Sequence, residues 1–441
     1  MKSQPFSNIV EFSERPHVCE YCYKYKCPSL KKCSQCKLVS YCQISCQKKA
    51  WLEYHQNECT HLKRLQESFP REKLISLPTG SPLFYALFIA RILHKLKNGG
   101  DKEFFEFPNG QRRYFKDLVS HQEDIARDDT NVSDVKSVHA QLHTLLGPTN
   151  SPSFLTVLQI YGKIIINCQD ILNDEMIPIG LGLYLGPSAI DHSCAPNAVW
   201  IFNGREMIVR TIENVPNFSA LRVTYLPKLY ENTRKRQEIL LRDYFFSCNC
   251  EVCQDEDSNQ LKFSLICSQC KGCVPLIFGK CNDCDCKLNP ISIEKYKNLK
   301  AKMLNAISNA STSEDQETCE KLFEAAVKVF HPFDEIFMNF LFLLWNKYYY
   351  ELNVIDHRNC LTVLELMTQN YYKNLPKYFH GIGIRELMLA SLSNALNLQD
   401  KALIHITNAE DILKVGFGEN HPRVTEDCKS IRQLILSNQN G

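Results

Sequence analysis

The chain has 441 residues, 44% of them hydrophobic and 23% charged, with a formal net charge of +2. That length accommodates two or three domains with substantial cores, and the near-neutral balance excludes a whole-molecule field that would by itself recruit nucleic acid. No apolar stretch reaches the ~18 residues of a membrane span, and the opening MKSQPFSNIVEF lacks the apolar run and cleavage site of a secretory leader. The 22 cysteines decide more: most fall between Cys19 and Cys59 or between Cys248 and Cys286, many as C-x-x-C pairs. With no sign of secretion, clustered pairs favour zinc over disulfides, and the expected location is cytoplasm and nucleus.

In chain order, residues 1–18 read as a short strand region centred on NIVEF, and residues 19–59 as the first cysteine module. That module is basic, with nine Lys or Arg against two Glu from Lys24 to Arg64. Residues 60–178 carry helical patterns. Ser81-Pro82 stands as cap and first-turn residue before LFYALFIARILHKL, and Ser151-Pro152 repeats that signal before FLTVLQIYGKIIIN. Residues 179–247 change to glycine-punctuated, β-branched runs (IGLGLY, AVWIF, REMIVRTI, LRVTYL) that read as short strands. Residues 248–290 hold the second cysteine group. Residues 291–441 are helical, with pairs that suggest a superhelical array. The aromatic run Trp345 to Tyr350 reads as core packing. The fold class is α+β, with an all-α carboxyl domain.

The first module pairs its ligands as Cys19/Cys22, Cys33/Cys36, Cys42/Cys46 and His55/Cys59. Eight such ligands suffice for two closed tetrahedral sites, whose metals supply the folding energy that a ~40-residue core lacks. The pattern resembles a MYND finger. The resemblance implies Cys19, Cys22, Cys42 and Cys46 on one zinc, and Cys33, Cys36, His55 and Cys59 on the other, with Cys27 left over. Such fingers bind proline-rich peptides; the basic surface also offers a weak nucleic-acid contact.

Further on, DHSCAPNAVWIF (191–202), LRVTYLP (221–227) and RDYFFSCNCEVC (242–253) follow one another. Their order and spacing resemble the SET domain of protein-lysine methyltransferases, and with the finger upstream the chain resembles the SET-and-MYND family. This implies a SET core split by the finger and a helical insert, a post-SET zinc site, and a tetratricopeptide-like carboxyl domain. It implies methyl transfer from S-adenosylmethionine to a lysine on a histone or another protein, by a chain expected to be monomeric. Asn167, Asp191, His192 and Phe246 match the family's donor-binding positions, with Ser120 and His121 as weaker candidates. Tyr225 matches the active-site tyrosine, and Tyr244, two residues before Phe246, is a candidate wall of the lysine channel. Cys248, Cys250 and Cys253 supply three ligands of a third zinc, and Cys194 is the family's fourth.

Three features depart from the family pattern. The glycine-bearing strand that precedes the finger has no counterpart in the 18 residues ahead of Cys19, where NIVEFSERPHV resembles the second strand. Asp191 stands where the family usually has Asn, which keeps acceptors and loses the amide donor. Cys267, Cys270, Cys281 and Cys284 add a knuckle pair for a fourth zinc, with Cys273 and Cys286 as competing ligands. The other cysteines, Cys168, Cys319, Cys360 and Cys428, read as packing residues. The competing function is a non-catalytic adaptor, its finger recruiting proline-rich or chromatin partners.

Overall fold

The computed structural model describes residues 1–309, 316–348 and 357–439. The β-rich part is a set of small sheets. Ser7–Val10 and Cys168–Leu172 flank Pro178–Leu183, with Ser7 opposite Leu183 and Val10 opposite Gly180. A second sheet orders Lys2–Ser3, Glu206–Thr211 and Ala198–Asn203. The strand Cys168–Leu172 follows the helix Phe154–Asn167 directly. This strand therefore starts eleven residues before the boundary expected at 179.

Of the two-stranded pairs, one matters most for the site. Asp191–His192 runs parallel to Arg222–Val223, with Asp191 opposite Arg222 and His192 opposite Val223. Asn197 locks this crossing: its Oδ1 accepts from Arg222 N at 2.8 Å and its Nδ2 donates to the Ala220 carbonyl at 2.8 Å. A side chain that replaces two ladder bonds is how so short a pairing holds.

The finger joins the sheet through Tyr23. Its hydroxyl accepts from Asn8 Nδ2 at 3.0 Å. Its ring lies where a Cβ on Gly180 would sit 2.6 Å away, so only glycine lets the ring close on the strand. Within the finger, the helix Ile44–Ala50 passes through a π turn, Trp51–His55, into the helix Gln56–Ser68. His55 and Cys59, four residues apart, thus share one helical face.

Between finger and sheet, the helix Pro82–Lys97 buries Phe84, Phe88, Ile89 and Ile92. Ser81 precedes it as expected but makes no side-chain cap. The next expected cap is displaced: Ser153, not Ser151, accepts from Thr156 N and opens the helix Phe154–Asn167. Carboxyl-terminal helices from Pro290 to Gln439 pack largely on their neighbours in sequence, as His357–Asn374 does on His380–Ala395 and that helix on Gln399–Gly416. Trp345 and Tyr348 are buried there; Tyr349 and Tyr350 lie outside the described residues. Among the described residues no helix is long and apolar enough to cross a membrane.

Candidate active site and metal centres

Four groups of ligand atoms converge. Cys19, Cys22, Cys42 and Cys46 form one; Cys33, Cys36, His55 and Cys59 another; Cys194, Cys248, Cys250 and Cys253 a third; and Cys267, Cys270, Cys281 and Cys284 a fourth. In each, every ligand atom lies within 4.8 Å of the others. The sulfur pairs Cys22–Cys42, Cys194–Cys253 and Cys270–Cys281 stand 3.5, 3.6 and 3.4 Å apart. A tetrahedron with Zn–S of about 2.3 Å has edges of about 3.8 Å, so the donor sets fit zinc in type, number and spacing. Among the described residues no cysteine is in a disulfide. The competing ligands are not in the fourth set: Cys273 is buried at the start of the strand Cys273–Pro275, and Cys286 Sγ contacts the Lys287 carbonyl. Cys27 lies against Ser29 Oγ at 3.2 Å, outside every group.

The second group has an orienting shell. Glu58 Oε1 lies 3.3 Å from His55 Nδ1, and Arg91 holds both carboxylate oxygens of Glu58 at 3.0 and 2.8 Å. Burial alone would raise the Glu58 pKa, but the Arg91 guanidinium and His55 outweigh it and hold it at about 2. An ionised carboxylate on Nδ1 leaves Nε2 to face the thiols Cys33 and Cys36, 3.4 and 3.8 Å away.

The third group reaches into the chemistry. Arg236, 1% exposed, directs Nε to Cys194 Sγ at 3.3 Å and Nη2 to Cys253 Sγ at 3.6 Å. Four thiolates around a divalent ion carry a net charge of −2, which this buried guanidinium offsets. Sequence reasoning missed Arg236, since nothing in RKRQ separates it from its surface neighbours. His192 bridges from here to the segment around Tyr225. Its Nδ1 accepts the Tyr225 backbone N–H at 3.0 Å, so the ring proton sits on Nε2, 3.4 Å from Cys194 Sγ.

Around His192 lies a cavity of about 300 Å³ lined by Arg113, Val119, His121, Ile166, Asn167, Ser188, Asp191, His192, Tyr225, Tyr244 and Phe246. Seven of the eight sequence-predicted site residues therefore line it. Ser120 does not: its carbonyl packs against Gly162, where a Cβ would meet it at 2.1 Å. Asn167 is buried and donates both Nδ2 bonds to carbonyls, Val119 at 2.8 Å and Lys163 at 2.9 Å. Both partners are acceptors, so the amide orientation is fixed and Oδ1 is the atom left over. His121 adopts a left-handed backbone (φ 46°), bonds Asp124 at 2.9 Å and stacks on Phe245 at 5.0 Å.

Tyr225 sits centrally. Its ring is 5.4 Å from His192, 4.8 Å from Tyr244 and 6.4 Å, edge-on, from Phe246. Its hydroxyl donates to the Ile190 carbonyl at 2.6 Å. With its one hydrogen committed, the phenol oxygen presents lone pairs only. Burial, with Asp191 nearby, raises the Tyr225 pKa above its ordinary value, and burial pushes Tyr244 to about 12, so both phenols stay neutral. A second cavity, of about 760 Å³, is walled by residues including Ile165, Cys168, Asp170, Trp200, Phe379 and His380. It shares with the first only Tyr225 and Tyr244. Cys168, expected as mere packing, lines this larger space.

Comparison with known proteins agrees with the finger and extends to the rest. A family model for the MYND finger matches residues 19–59. The chain is 29% identical to the histone-lysine N-methyltransferase SMYD3 of Homo sapiens, over 58% of this chain and 56% of that protein. It is 27% identical to the histone-lysine N-methyltransferase ASHR1 of Arabidopsis thaliana, over 97% of this chain and 88% of that protein. It is 24% identical to the N-lysine methyltransferase SMYD2 of Homo sapiens, over 98% and 91% respectively.

Proposed function

We propose a function from one premise: the chain belongs to the SET-and-MYND family of protein-lysine methyltransferases. It transfers a methyl group from S-adenosylmethionine to a lysine side chain of a histone or another protein. The observation that carries this reading is the pair of cavities meeting only at Tyr225 and Tyr244. A two-substrate displacement needs such an arrangement, with each reactant in its own space and the reacting atoms in line through a narrow contact.

The smaller cavity suits the donor. Phe246 gives an aromatic face for a purine, Asn167 Oδ1 accepts from an ammonium, and His192 braces the turn between Tyr225 N and Cys194. When bound, the donor supplies a methyl on a sulfonium, an electrophile that needs no covalent intermediate with the protein. The larger cavity suits the polypeptide, with Tyr225 and Tyr244 as the walls of the lysine channel. The phenol oxygen of Tyr225, its hydrogen held by Ile190, offers lone pairs toward polarised C–H groups and toward the incoming amine.

The nucleophile must be a neutral amine, whereas free lysine has a pKa of about 10.4. An aromatic passage beside a sulfonium charge disfavours the ammonium through desolvation and like-charge repulsion. Zinc in the four cysteine-rich groups is structural, because each is a closed four-ligand set with no open position. The finger recruits proline-rich segments of partners, and the chain works in cytoplasm and nucleus.

Tyr225→Phe is the test. The substitution removes one oxygen and leaves the metal groups untouched, so turnover drops by about 10²-fold or more while zinc content stays at the wild-type value. Full methylation of a protein extract by the variant, read by mass spectrometry, would overturn the assigned role.

A further inference from the structure

Arg113 reaches the smaller cavity from the strand Arg112–Tyr114, paired with Phe104–Glu106. Its Nε is buried without a hydrogen-bond partner, and among the described residues no carboxylate comes within 4.0 Å of its guanidinium. Its near neighbour Asp117 is engaged elsewhere, Oδ2 accepting from Tyr114 N at 2.8 Å. A second cation lies close by: Lys163 Nζ donates to the carbonyls of Phe115 and Lys116 at 2.8 and 3.1 Å, and the Arg113 charge helps depress its pKa. Arg113 itself is held below its ordinary range by burial, eased by the charge of Asp117 and by Asp191. An anion arriving here relieves both cations.

Asp191 lines the same cavity, feels the field of Arg113, and makes no ion pair with it. One wall therefore carries an unpaired cation and an unpaired anion, separated by more than contact distance. That is the complement of a zwitterionic α-amino acid. We propose that Arg113 is a donor-binding residue whose guanidinium takes the α-carboxylate of S-adenosylmethionine, with Asp191 facing its ammonium. The proposal rests on the methyl-donor reading above and names a residue that the sequence patterns did not. Guanidinium and carboxylate match in geometry as two parallel N–H···O bonds, which a lysine cannot form.

The test isolates the carboxylate. Full-length wild type, Arg113→Gln and Arg113→Lys are titrated calorimetrically with S-adenosylhomocysteine and with its decarboxylated analogue, 5′-deoxy-5′-(3-aminopropylthio)adenosine. Wild type is expected to prefer the carboxylated ligand by about tenfold or more. The preference collapses to about twofold or less in Arg113→Gln and is partly kept in Arg113→Lys, which also reports if the glutamine variant fails to fold. A wild-type preference near one, or an unchanged preference in the variants, overturns the proposal. If wild type binds neither nucleoside, the methyl-donor reading falls as well, an outcome separate from loss of the preference alone.

Discussion

Glu11 shows how burial of a single carboxyl makes stability depend on pH. It is 6% exposed just beyond the strand Ser7–Val10, its backbone N–H bonded to the Ile179 carbonyl at 3.1 Å. Burial first, and then the neighbouring charge of Asp170, raise its pKa to about 7. A carboxyl that holds its proton more tightly when folded lowers stability as pH rises from about 4.5 through 7, and the full penalty persists above 7. Glu11→Gln should therefore raise the stability at pH 8, by about 1 kcal/mol or more, and with it the melting temperature, and leave both nearly unchanged at pH 4.5. Calorimetric melts at the two pH values check both halves. At this scale the sequence is informative where chemistry demands a residue type at a spacing. The paired cysteines could be singled out for that reason, whereas Tyr225, His192 and Phe246 were marked only by the resemblance of their segments to the SET family. Arg113 and Arg236 were marked by neither, because a buried arginine looks like any other until the fold removes its water.

The helix Phe154–Asn167 carries a glycine in its interior, where replacement by alanine ordinarily stabilises by about 0.5–1 kcal/mol. Here the sign reverses. A Cβ on Gly162 would lie 2.1 Å from the Ser120 carbonyl and 3.0 Å from the Ile125 side chain, so the helix and the segment around Ser120 would part. Gly162→Ala should cost about 1–3 kcal/mol. It should also weaken nucleoside binding, since the Asn167–Val119 bond spans the same joint. A melt and a calorimetric titration of the one variant check this. The helix from Pro82 was legible through proline at the first turn, and the carboxyl-terminal helices through their apolar periodicity. The parallel pairing of Asp191–His192 with Arg222–Val223 was not, because two residues have no period and their partner lies thirty-one positions away. The hairpin Phe104–Glu106/Arg112–Tyr114 was hidden likewise: three-residue strands without strict alternation look like loop.

Across the whole molecule, one buried carboxylate joins the halves. Glu335 accepts from Asn232 N and Nδ2 at 3.0 and 2.7 Å and from Lys235 Nζ at 3.1 Å, which ties the start of the helix Thr233–Tyr244 to the helix Glu335–Asn346. The carboxyl-terminal helices give Phe379 and His380 to the larger cavity and nothing to the smaller. Glu335→Ala, which strands the Asn232 donors, should thus raise the KM for a peptide several-fold while leaving the Kd for S-adenosylhomocysteine near wild type; steady-state kinetics and calorimetry separate the two. This organisation could not be read from sequence, since its contacts join positions a hundred residues apart. The meeting of two compartments at a pair of phenols also has a kinetic side. Under the proposed function, a spent nucleoside leaves and is replaced through its own compartment while the polypeptide stays seated in the other, so that repeated rounds on one amine need no second encounter.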